Sequence, residues 1–533
     1  MALLSVTGFA LAIAGAFFLT ASFRKRTPPN STLPPGPKGL PLLGNLLSLP
    51  PKHSWLQFFA WSKQYGPLYR LNIAGRENFI VSSEKIANDL LRERGSIYSS
   101  REQLPAAVGL LSDNLRPLFW PYGETARQGR KLMHQLCQPS SAVKYQSTQN
   151  LESTRLLEDL ILRPQDYERL FMRYSAGLVF RIGFGKVLGE NDTLLDRIFT
   201  LVHHVERVAS PGAYLVDTFP WMQYLPDFMA SFKRELKALH AEELDVFRSL
   251  LENTRKAMAT GEAADCWEKT YIENKDQYRL TEDEGAYVVG TLFEAGAGTT
   301  AAAMMSFVLA MILHSEVYKK LQQAIDAVVG SGRLPDFDDT PKLPYLRAVV
   351  KEVLRWRPVT AGGIPHMCTK DDTYTVTTPS GSQHTYFIPA GTNIHPNQWA
   401  IHRDESLYPD PETFLPERWL DPKYPTYREP LDTFPNIQHF SAFGFGRRIC
   451  PGMHIAERSL YLLASRIAWA CDLAKAKDPK TGQTMAYGEY DYVEGFNVQP
   501  NWFPFELKVR GQERWEIVQA ARREEERNDP LKR

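Results

Sequence analysis

The chain has 533 residues, 43% of them hydrophobic, and its 62 Lys and Arg against 61 Asp and Glu give a formal net charge of +1. This composition allows a large buried core and excludes a global field that would attract nucleic acid or acidic substrates, so we expect no nucleic-acid partner. The five cysteines lie far apart, and no pair has the spacing of zinc ligands. A disulfide framework is therefore not expected, which indicates a reducing compartment.

The amino-terminal segment, residues 1–26, combines an apolar run with a basic flank. Residues 2–23 carry no charge, and a helix of about 22 residues spans roughly 33 Å, enough to cross a bilayer core. Residues 24–26, Arg-Lys-Arg, follow directly and favour a cytoplasmic position for the rest of the chain. A cleaved signal peptide is the alternative, but there the basic residue precedes the apolar run. We predict a single-pass transmembrane helix.

The rest of the chain divides into a spacer, a large domain and a tail. Residues 27–50 are rich in proline, which fixes φ, so they predict a stiff spacer. Residues 51–512 show mainly helical periodicity and form one domain, mainly α with a small β-rich subregion. Its strand-like segments are Leu68–Ile73, Asn78–Val81, Tyr374–Val376, Tyr386–Ile388 and Phe505–Val509. Residues 513–533 are dense in charge and predict a solvated or frayed tail.

One predicted helix is unusually long and apolar. Thr281 and Glu284 have the spacing of a capping box, and the acidic residues of the first turn favour a helix start here. The run Gly285–Leu313 that follows carries no charge except Glu294. A second transmembrane span is the alternative, but Glu294 and the amphipathic sequence on both sides oppose it. We predict a helix buried through the middle of the domain.

A cysteine in an unusual setting lies near the end of the domain. Cys450 belongs to the glycine-rich run Phe443–Gly452, and an apolar, helix-like run, Met453–Ala470, begins directly afterwards. A helix amino terminus and nearby positive charge, here from Arg447 and Arg448, both lower the pKa of a thiol. A thiolate suits a soft metal, and haem brings the remaining ligands that the sequence does not offer. A buried core thiol is the alternative.

The run around Cys450 resembles the haem-binding signature of the cytochrome P450 family, Phe-x-x-Gly-x-Arg-x-Cys-x-Gly. All five fixed positions are filled, by Phe443, Gly446, Arg448, Cys450 and Gly452. The resemblance implies the mainly α-helical fold of that family and haem b as the cofactor. It also implies that Cys450 is the axial cysteinate ligand of the iron and that the other four residues help to bind the haem.

Two upstream motifs extend the resemblance. Glu352 and Arg355 share a helix face at i, i+3, and Arg418 follows in the run 414–419. Most pairs of this kind are solvated, but the apolar residues around Glu352 favour partial burial. The family has an ExxR pair that an arginine of the second motif completes, so the resemblance implies that these three residues fasten the core beneath the haem. The resemblance to the family covers most of the chain, from the spacer to about residue 505.

The long helix carries a run, residues 295–300, that resembles the oxygen-binding motif of the family. The resemblance implies that Gly296 opens the helix beside the iron and that the Thr299 hydroxyl binds oxygen or a proton-delivering water. Gly298 departs from the motif, because an acid usually stands beside the threonine. Glu294 lies four residues earlier on the same face, and we predict that it delivers protons through water; a structural carboxylate is the alternative. The glycines also match a dinucleotide-binding fingerprint, but βαβ alternation is missing around them.

The carboxylates of haem need cationic partners. The run 122–130 resembles a Trp-x-x-x-Arg helix of the family, with Ala126 in place of the tryptophan, so Arg130 and the nearby Arg127 are candidate propionate ligands. The run 364–366 resembles another propionate contact, which makes His366 a candidate; a structural histidine is the alternative. Because Ala126 stands where the family has tryptophan, one expected hydrogen-bond donor to the propionates is missing.

The resemblance implies a monooxygenase that inserts one atom of O₂ into a hydrophobic small molecule. No nicotinamide or flavin site is convincing in the sequence, so electrons are expected from a separate NADPH-dependent reductase, with Arg447 and Arg448 on its docking face. The expected location is the endoplasmic reticulum membrane, with the catalytic domain cytoplasmic. One alternative is a haem-thiolate isomerase or dehydratase that needs no external electrons, which the missing acid at residue 298 favours. The other is a non-catalytic membrane haem-binding protein.

The substrate is expected to contact five segments by analogy with the family. They are residues 101–118, 205–225, 288–299, 359–364 and 496–501. These segments are mostly apolar and aromatic, which favours a hydrophobic ligand. The overall character of the sequence is similar to secondary-metabolite enzymes of filamentous fungi.

Overall fold

The computed structural model describes residues 28–532, except 190–192, 211, 378–380, 489, 494 and 496. The predicted transmembrane helix in residues 1–26 lies outside these described residues. Helices dominate the described part, which also contains small sheets, as the sequence predicted. The helices are α1 Ser54–Tyr65, α2 Glu84–Ala87, α3 Gly95–Tyr98, α4 Glu124–Cys137, α5 Pro139–Lys144, α6 Gln146–Leu162, α7 Tyr167–Phe184, α8 Thr193–Ala209, α9 Leu215–Thr218, α10 Ser231–Thr260, α11 Trp267–Asn274, α12 Glu282–Leu313, α13 Ser315–Val329, α14 Pro344–Trp356, α15 Gln398–Ile401, α16 Met453–Ala470 and α17 Gln512–Arg527.

The strands form one four-stranded sheet and two two-stranded sheets. They are β1 Leu68–Ile73, β2 Arg76–Val81, β3 His366–Met367, β4 Asp372–Thr377, β5 Gln383–Ile388, β6 Asn393–Pro396, β7 Cys471–Lys475 and β8 Phe505–Val509. The large sheet has the order β1-β2-β6-β3, with β2 parallel to β6 and the other pairs antiparallel. The pairs β4-β5 and β7-β8 are antiparallel. All five predicted strands are present, and β3, β6 and β7 were not predicted.

Helix α12 runs through the middle of the core. Its capping box is formed, since the Thr281 hydroxyl accepts from Glu284 N and the Glu284 carboxylate accepts from Thr281 N at 2.8 Å. Among the described residues it is the one helix long and apolar enough to cross a membrane, but most of it is buried inside the protein. It packs along α7 and also contacts α4 and α16. The prediction of a buried central helix is confirmed.

The carboxyl-terminal segment differs from the predicted solvated tail. Residues 512–527 form α17, which packs against α6 and buries Val518. Beyond it Asp529 is only 1% exposed, and its carboxylate accepts two hydrogen bonds from Arg181, at 2.8 and 2.9 Å. The charge density of the tail was interpreted as solvation, but part of this charge pairs with a buried cation of α7.

Candidate functional site

Two glycines in left-handed conformations shape the loop before Cys450. Gly444 has φ +82° and Gly446 has φ +54°, a region that L side chains rarely adopt. At Gly446 a Cβ atom would also come within 2.2 Å of Leu91 O. The loop closes through a hydrogen bond from Cys450 N to Phe443 O at 2.8 Å, and α16 begins shortly after it. The predicted position of Cys450 just before a helix is confirmed.

The protein around Cys450 raises the pKa of its thiol. Burial is the main cause, and it outweighs the thiolate stabilisation by two backbone N–H groups at the start of α16 and by Arg130. The expectation that Arg447 and Arg448 lower this pKa is therefore corrected. A coordinated metal ion would deprotonate this thiol through its own charge.

The two arginines before Cys450 point in different directions. Arg448 is directed inward, donates from Nε to Ser99 O at 2.8 Å, and bonds two further backbone carbonyls. Arg447 is exposed and donates to the Tyr122 hydroxyl, with its guanidinium carbon 5.1 Å from the centroid of that ring. Only Arg448 therefore belongs to the interior of the site.

Four basic side chains, here called the basic cluster, come together beside this loop. They are Arg101, Arg130, His366 and Arg448. Burial, followed by the charges of Arg448 and Arg130, lowers the pKa of Arg101 well below its usual value. Burial and Arg130 lower the pKa of Arg448 to about 10, and burial and Arg101 lower the pKa of His366 well below its usual value. The cluster is thus a buried region of mutually repelling positive charge.

The polar partners of the basic cluster are backbone carbonyl groups. Arg130 donates from Nη2 to Ile449 O at 2.7 Å, and His366 Nδ1 lies 2.7 Å from Tyr98 O. Among the residues that the structure describes, no carboxylate pairs with any of the three guanidinium groups. Nε of Arg101 is buried without a hydrogen-bond partner. Because buried charge without a counter-charge is costly, the cluster fits an anionic ligand.

Sequence reasoning missed Arg101 and misplaced Arg127. Arg127 is exposed on α4 and forms an ion pair with Glu124, so the structure does not bring it to the basic cluster. It lies three residues before Arg130, and only burial shows which of the two points inward. Arg101 was named only as the start of a substrate segment. Its location in a polar loop with no periodic pattern carried no signal of burial.

One face of α12 opens toward the interior of the site. Ala295 is exposed although the helix around it is largely buried, and a Cβ atom at Gly298 would meet nothing within 4 Å. Thr299 lies on this face and donates from its hydroxyl to Ala295 O at 2.9 Å. The oxygen of Thr299 therefore retains its lone pairs for accepting hydrogen bonds.

Gly296 has a different role from the one predicted for it. A Cβ atom here would come within 2.5 Å of Val179 Cγ1 on α7. The glycine thus allows two core helices to approach closely, and it faces α7 while Gly298 faces the open side. The expectation that Gly296 opens the helix beside the iron is corrected, since its missing side chain serves helix packing.

Glu294 lies in a buried ion-pair network. Its Oε2 accepts from Arg116, whose other terminal nitrogen donates to Glu243 on α10. Burial raises the pKa of Glu294, Glu243 raises it further, and Arg116 opposes both effects. Arg116 and Glu243 were not identified from the sequence, because they lie far from Glu294 along the chain. The role of Glu294 in proton delivery remains a prediction.

The ExxR triad is formed and completely buried. Arg355 donates to Glu352 through Nε at 2.9 Å and Nη2 at 2.8 Å, and Arg418 Nε donates to Glu352 Oε1 at 3.1 Å. Glu352 also accepts from Leu415 N at 2.9 Å and from Trp419 Nε1 at 3.1 Å. The triad therefore ties α14 to the segment that leads toward the Cys450 loop, in the structural role that the resemblance implies.

The sequence model of the family described as Cytochrome P450 matches residues 34–484. This chain belongs to the cytochrome P450 family. It is 37% identical to cytochrome P450 monooxygenase fogE of Aspergillus ruber over 90% of this chain and 88% of that one. It is 35% identical to cytochrome P450 monooxygenase virE of Hypocrea virens over 90% and 86%. A solved structure of a zebra fish cytochrome P450 with abiraterone matches with a TM-score of 0.67 at 23% identity, covering 86% of this chain and 100% of that chain, which shows the fold.

The chain is accordingly a cytochrome P450 monooxygenase, an oxidoreductase that incorporates oxygen from O₂, with cysteine-ligated haem. The residues present fit this cofactor. Cys450 would hold the iron through its sulfur, and the basic cluster, which has no carboxylate partner among the described residues, would supply cations for the two haem propionates. When bound, the haem supplies reductive activation of O₂. The protein holds the cysteine loop and presents Thr299 as a hydrogen-bonding group.

Replacing Arg101 by glutamine is expected to increase haem dissociation by about 10- to 100-fold, since hydrogen bonds to charged groups contribute about 1.5–3 kcal/mol. The transfer of haem from the purified protein to apomyoglobin measures the rate. Arg127→Gln is the matched control, because Arg127 is exposed and outside the basic cluster. Equal haem loss from the two variants would contradict the assignment of Arg101.

Proposed function

We propose that this cytochrome P450 monooxygenase oxidises a hydrophobic small molecule in fungal secondary-metabolite biosynthesis. Electrons come from a separate NADPH-dependent reductase on the endoplasmic reticulum membrane, where residues 1–26 anchor the cytoplasmic catalytic domain. The observation that carries the proposal is the open face of α12 at Ala295, Gly298 and Thr299. This face belongs to α12, which packs against both α16 and α4. Helix α16 begins three residues after Cys450, and α4 carries Arg130.

A hydrophobic substrate is supported by the packing of two predicted substrate segments. Residues from 104–119 and from 205–222 belong to one apolar cluster that also includes Leu236 of α10. Buried members of this cluster include Ala106, Val208 and Val216. The apolar character of these segments favours a ligand with little charge.

Membrane association is supported by a group of five exposed apolar side chains, here called the apolar patch. Its members are Leu215, Trp221, Tyr224, Phe228 and Met229, each at least 62% exposed. Several large apolar side chains so close along the chain are unusual on a protein surface that faces only water. We propose that this patch contacts the same membrane as the amino-terminal anchor.

The membrane proposal is tested by washing membranes with alkaline carbonate. The intact chain should stay in the pellet, and a chain that lacks residues 1–26 should be released to a large extent. In the shortened chain, Trp221→Ser with Phe228→Ser should further reduce binding to phospholipid vesicles. Release of the intact chain by carbonate would contradict the anchor.

Reductase docking is supported by an exposed group beside the Cys450 loop. Tyr122 lies between the guanidinium groups of Arg447 and Arg127, at 5.1 and 5.9 Å from its centroid. Arg448 was also predicted to face the reductase, but its hydrogen bonds direct it inward. We expect Arg447→Glu to raise the KM for the reductase without changing the haem spectrum. An unchanged KM for the reductase would show that the surface around Arg447 does not contribute to docking.

The reaction itself is tested with the holoenzyme, NADPH, a reductase and isotopically labelled O₂. The test substrates are hydrophobic compounds that displace the axial water in a spectral binding screen. The proposal predicts one labelled oxygen atom in the product for each NADPH consumed in coupled turnover. Formation of product without NADPH would support the isomerase or dehydratase alternative, which Gly298 in the usual acid position favours. Haem binding without turnover of any compound would support the non-catalytic alternative.

A further inference from the structure

The central helix lacks an acid where the family motif has one, but it carries a carboxyl group one turn earlier. Glu294 and Gly298 are separated by four residues and therefore lie on the same face of α12. A Cβ atom at Gly298 would meet nothing within 4 Å, so the space beside residue 298 is open. Glu294 is thus a buried acid of α12 on the same face as residue 298, where the family motif has its acid.

Glu294 is one of two carboxyl groups that share a single guanidinium. Arg116 bonds Glu294 through one terminal nitrogen and Glu243 through the other, and all three side chains are at most 9% exposed. Glu243 lies close enough to Glu294 to raise the pKa of Glu294, in addition to the larger effect of burial. Since one buried cation does not neutralise two carboxylates, protonation of Glu294 is favoured.

A purely structural role leaves part of this arrangement unexplained. Oε1 of Glu294 is buried, and no N–H or O–H donor among the described residues bonds to it. An unpartnered buried carboxylate oxygen is costly. A single glutamate would be enough to neutralise Arg116, so the second carboxyl group adds cost without adding charge balance.

The carboxyl pair connects to the protein surface through two further groups. The Tyr287 hydroxyl donates to Glu243 Oε2 at 2.8 Å and lies 3.2 Å from His240 Nδ1, which also lies 3.0 Å from Leu111 O. His240 is only partly buried, and it lies near the exposed ion pair of Arg248 and Asp283. The groups therefore form a continuous hydrogen-bonded path from solvent to α12.

We propose that this path is a proton relay that serves in place of the acid missing at residue 298. Its proton-carrying members, in order from the surface, are His240, Tyr287, Glu243 and Glu294. A proton enters at His240, and His240 reprotonates Tyr287 as the tyrosine passes its own proton to Glu243. The proton held by Glu294 leaves toward the Thr299 side and is replaced from Glu243. Arg116 is a positioning residue that holds both carboxyl groups. One proton enters for each that leaves, and no electron moves along the path.

The inference rests on the proposed function, because it assumes that a reductase delivers electrons to the holoenzyme. It is tested without a substrate by following NADPH oxidation. Two electrons and two protons convert O₂ to peroxide, and four of each convert it to water. Glu294→Gln should slow NADPH oxidation by about 100-fold, the lower end for a positioned proton-transfer group, and should raise the peroxide formed per NADPH. Tyr287→Phe, which preserves the ring, should change both quantities in the same direction and alter their pH profile.

Glu268→Gln is the matched control. Glu268 is also a buried carboxyl group, with its pKa raised to about 8 mainly by burial, but it bonds Thr254 and no cation. We expect this variant to oxidise NADPH at the wild-type rate with the wild-type yield of peroxide. The reduced carbon-monoxide spectrum of each variant shows whether the haem site is intact.

Infrared spectroscopy of the resting holoenzyme gives a readout that does not require turnover. The wild type should show the C=O stretch of a protonated carboxyl group at neutral pH, shifted in heavy water, and Glu294→Gln should lose it. Glu268→Gln should lose a different band. Loss of the Glu294 band with unchanged peroxide yield and rate would overturn the relay, as would unchanged kinetics in both relay variants. Failure of the wild type to oxidise NADPH would instead count against the proposed function.

Discussion

Replacing Glu352 by alanine is expected to abolish stable, haem-containing protein. Glu352 is fully buried and accepts hydrogen bonds from both Arg355 and Arg418, which are also fully buried. Its removal leaves two uncompensated guanidinium groups in the core, and breaking even one buried pair costs about 3–5 kcal/mol. The yield of folded protein and the midpoint of urea unfolding measure the loss.

Lys320→Ala is the control for this prediction. Lys320 bonds Glu417 at 2.8 Å, next to Arg418 in the chain, but the lysine side chain is 58% exposed. Exposed ion pairs contribute about 0–1 kcal/mol, so this variant should unfold close to the wild type. A Glu352→Ala protein with wild-type yield and unfolding midpoint would show that the triad does not hold the core together.

Replacing Asp529 by asparagine is expected to destabilise the protein by about 1.5–3 kcal/mol, the contribution of a hydrogen bond to a charged group. Arg181, which is 3% exposed, would lose the charged partner that accepts two of its hydrogen bonds but would keep its ion pair with Glu152. Because α17 packs on α6, we also expect faster amide hydrogen exchange in residues 512–527 of the variant. Equilibrium unfolding with and without the substitution gives the free-energy difference.

The pH dependence of this difference follows from the pKa of Asp529. Burial would raise this pKa, but hydrogen bonds and charge from Arg181 outweigh burial and hold it below its usual value. The stabilisation is therefore present above the unfolded-state pKa and is lost as pH falls through the lower folded-state pKa. The gap between wild type and Asp529→Asn should narrow in acid. Lys532→Ala is the control, since that lysine is 43% exposed; an equal effect of both substitutions would contradict the buried pair.

The sequence predicted those elements whose signals are local. Leu68–Ile73 and Phe505–Val509 have the predicted bounds, and the capping box of α12 is formed as expected. The strands β3 and β6 were missed, because they are very short and their pairing joins residues that are distant in the chain. Strand β7 was missed because it follows α16 without a break that a turn signal would mark.

Within the site, motif residues were easier to predict than their partners. Cys450, Thr299 and the ExxR triad have fixed spacings, whereas Arg101 and Arg116 are single arginines in irregular segments. Their burial depends on groups brought together only by the fold. The same reason explains the tail, where Asp529 resembles a solvated charge until its partner on α7 is known. Charge density alone does not separate solvated residues from buried pairs.

The central claim is that Cys450 binds haem iron as a thiolate. The most direct test is the reduced carbon-monoxide difference spectrum of the wild type and of Cys450→Ala, with Cys471→Ala as a control for another buried thiol. We predict a red-shifted, thiolate-type Soret band in the wild type and in Cys471→Ala, and its loss in Cys450→Ala. A folded, haem-supplied wild type without this band, or a Cys450→Ala variant that retains it, would contradict the account.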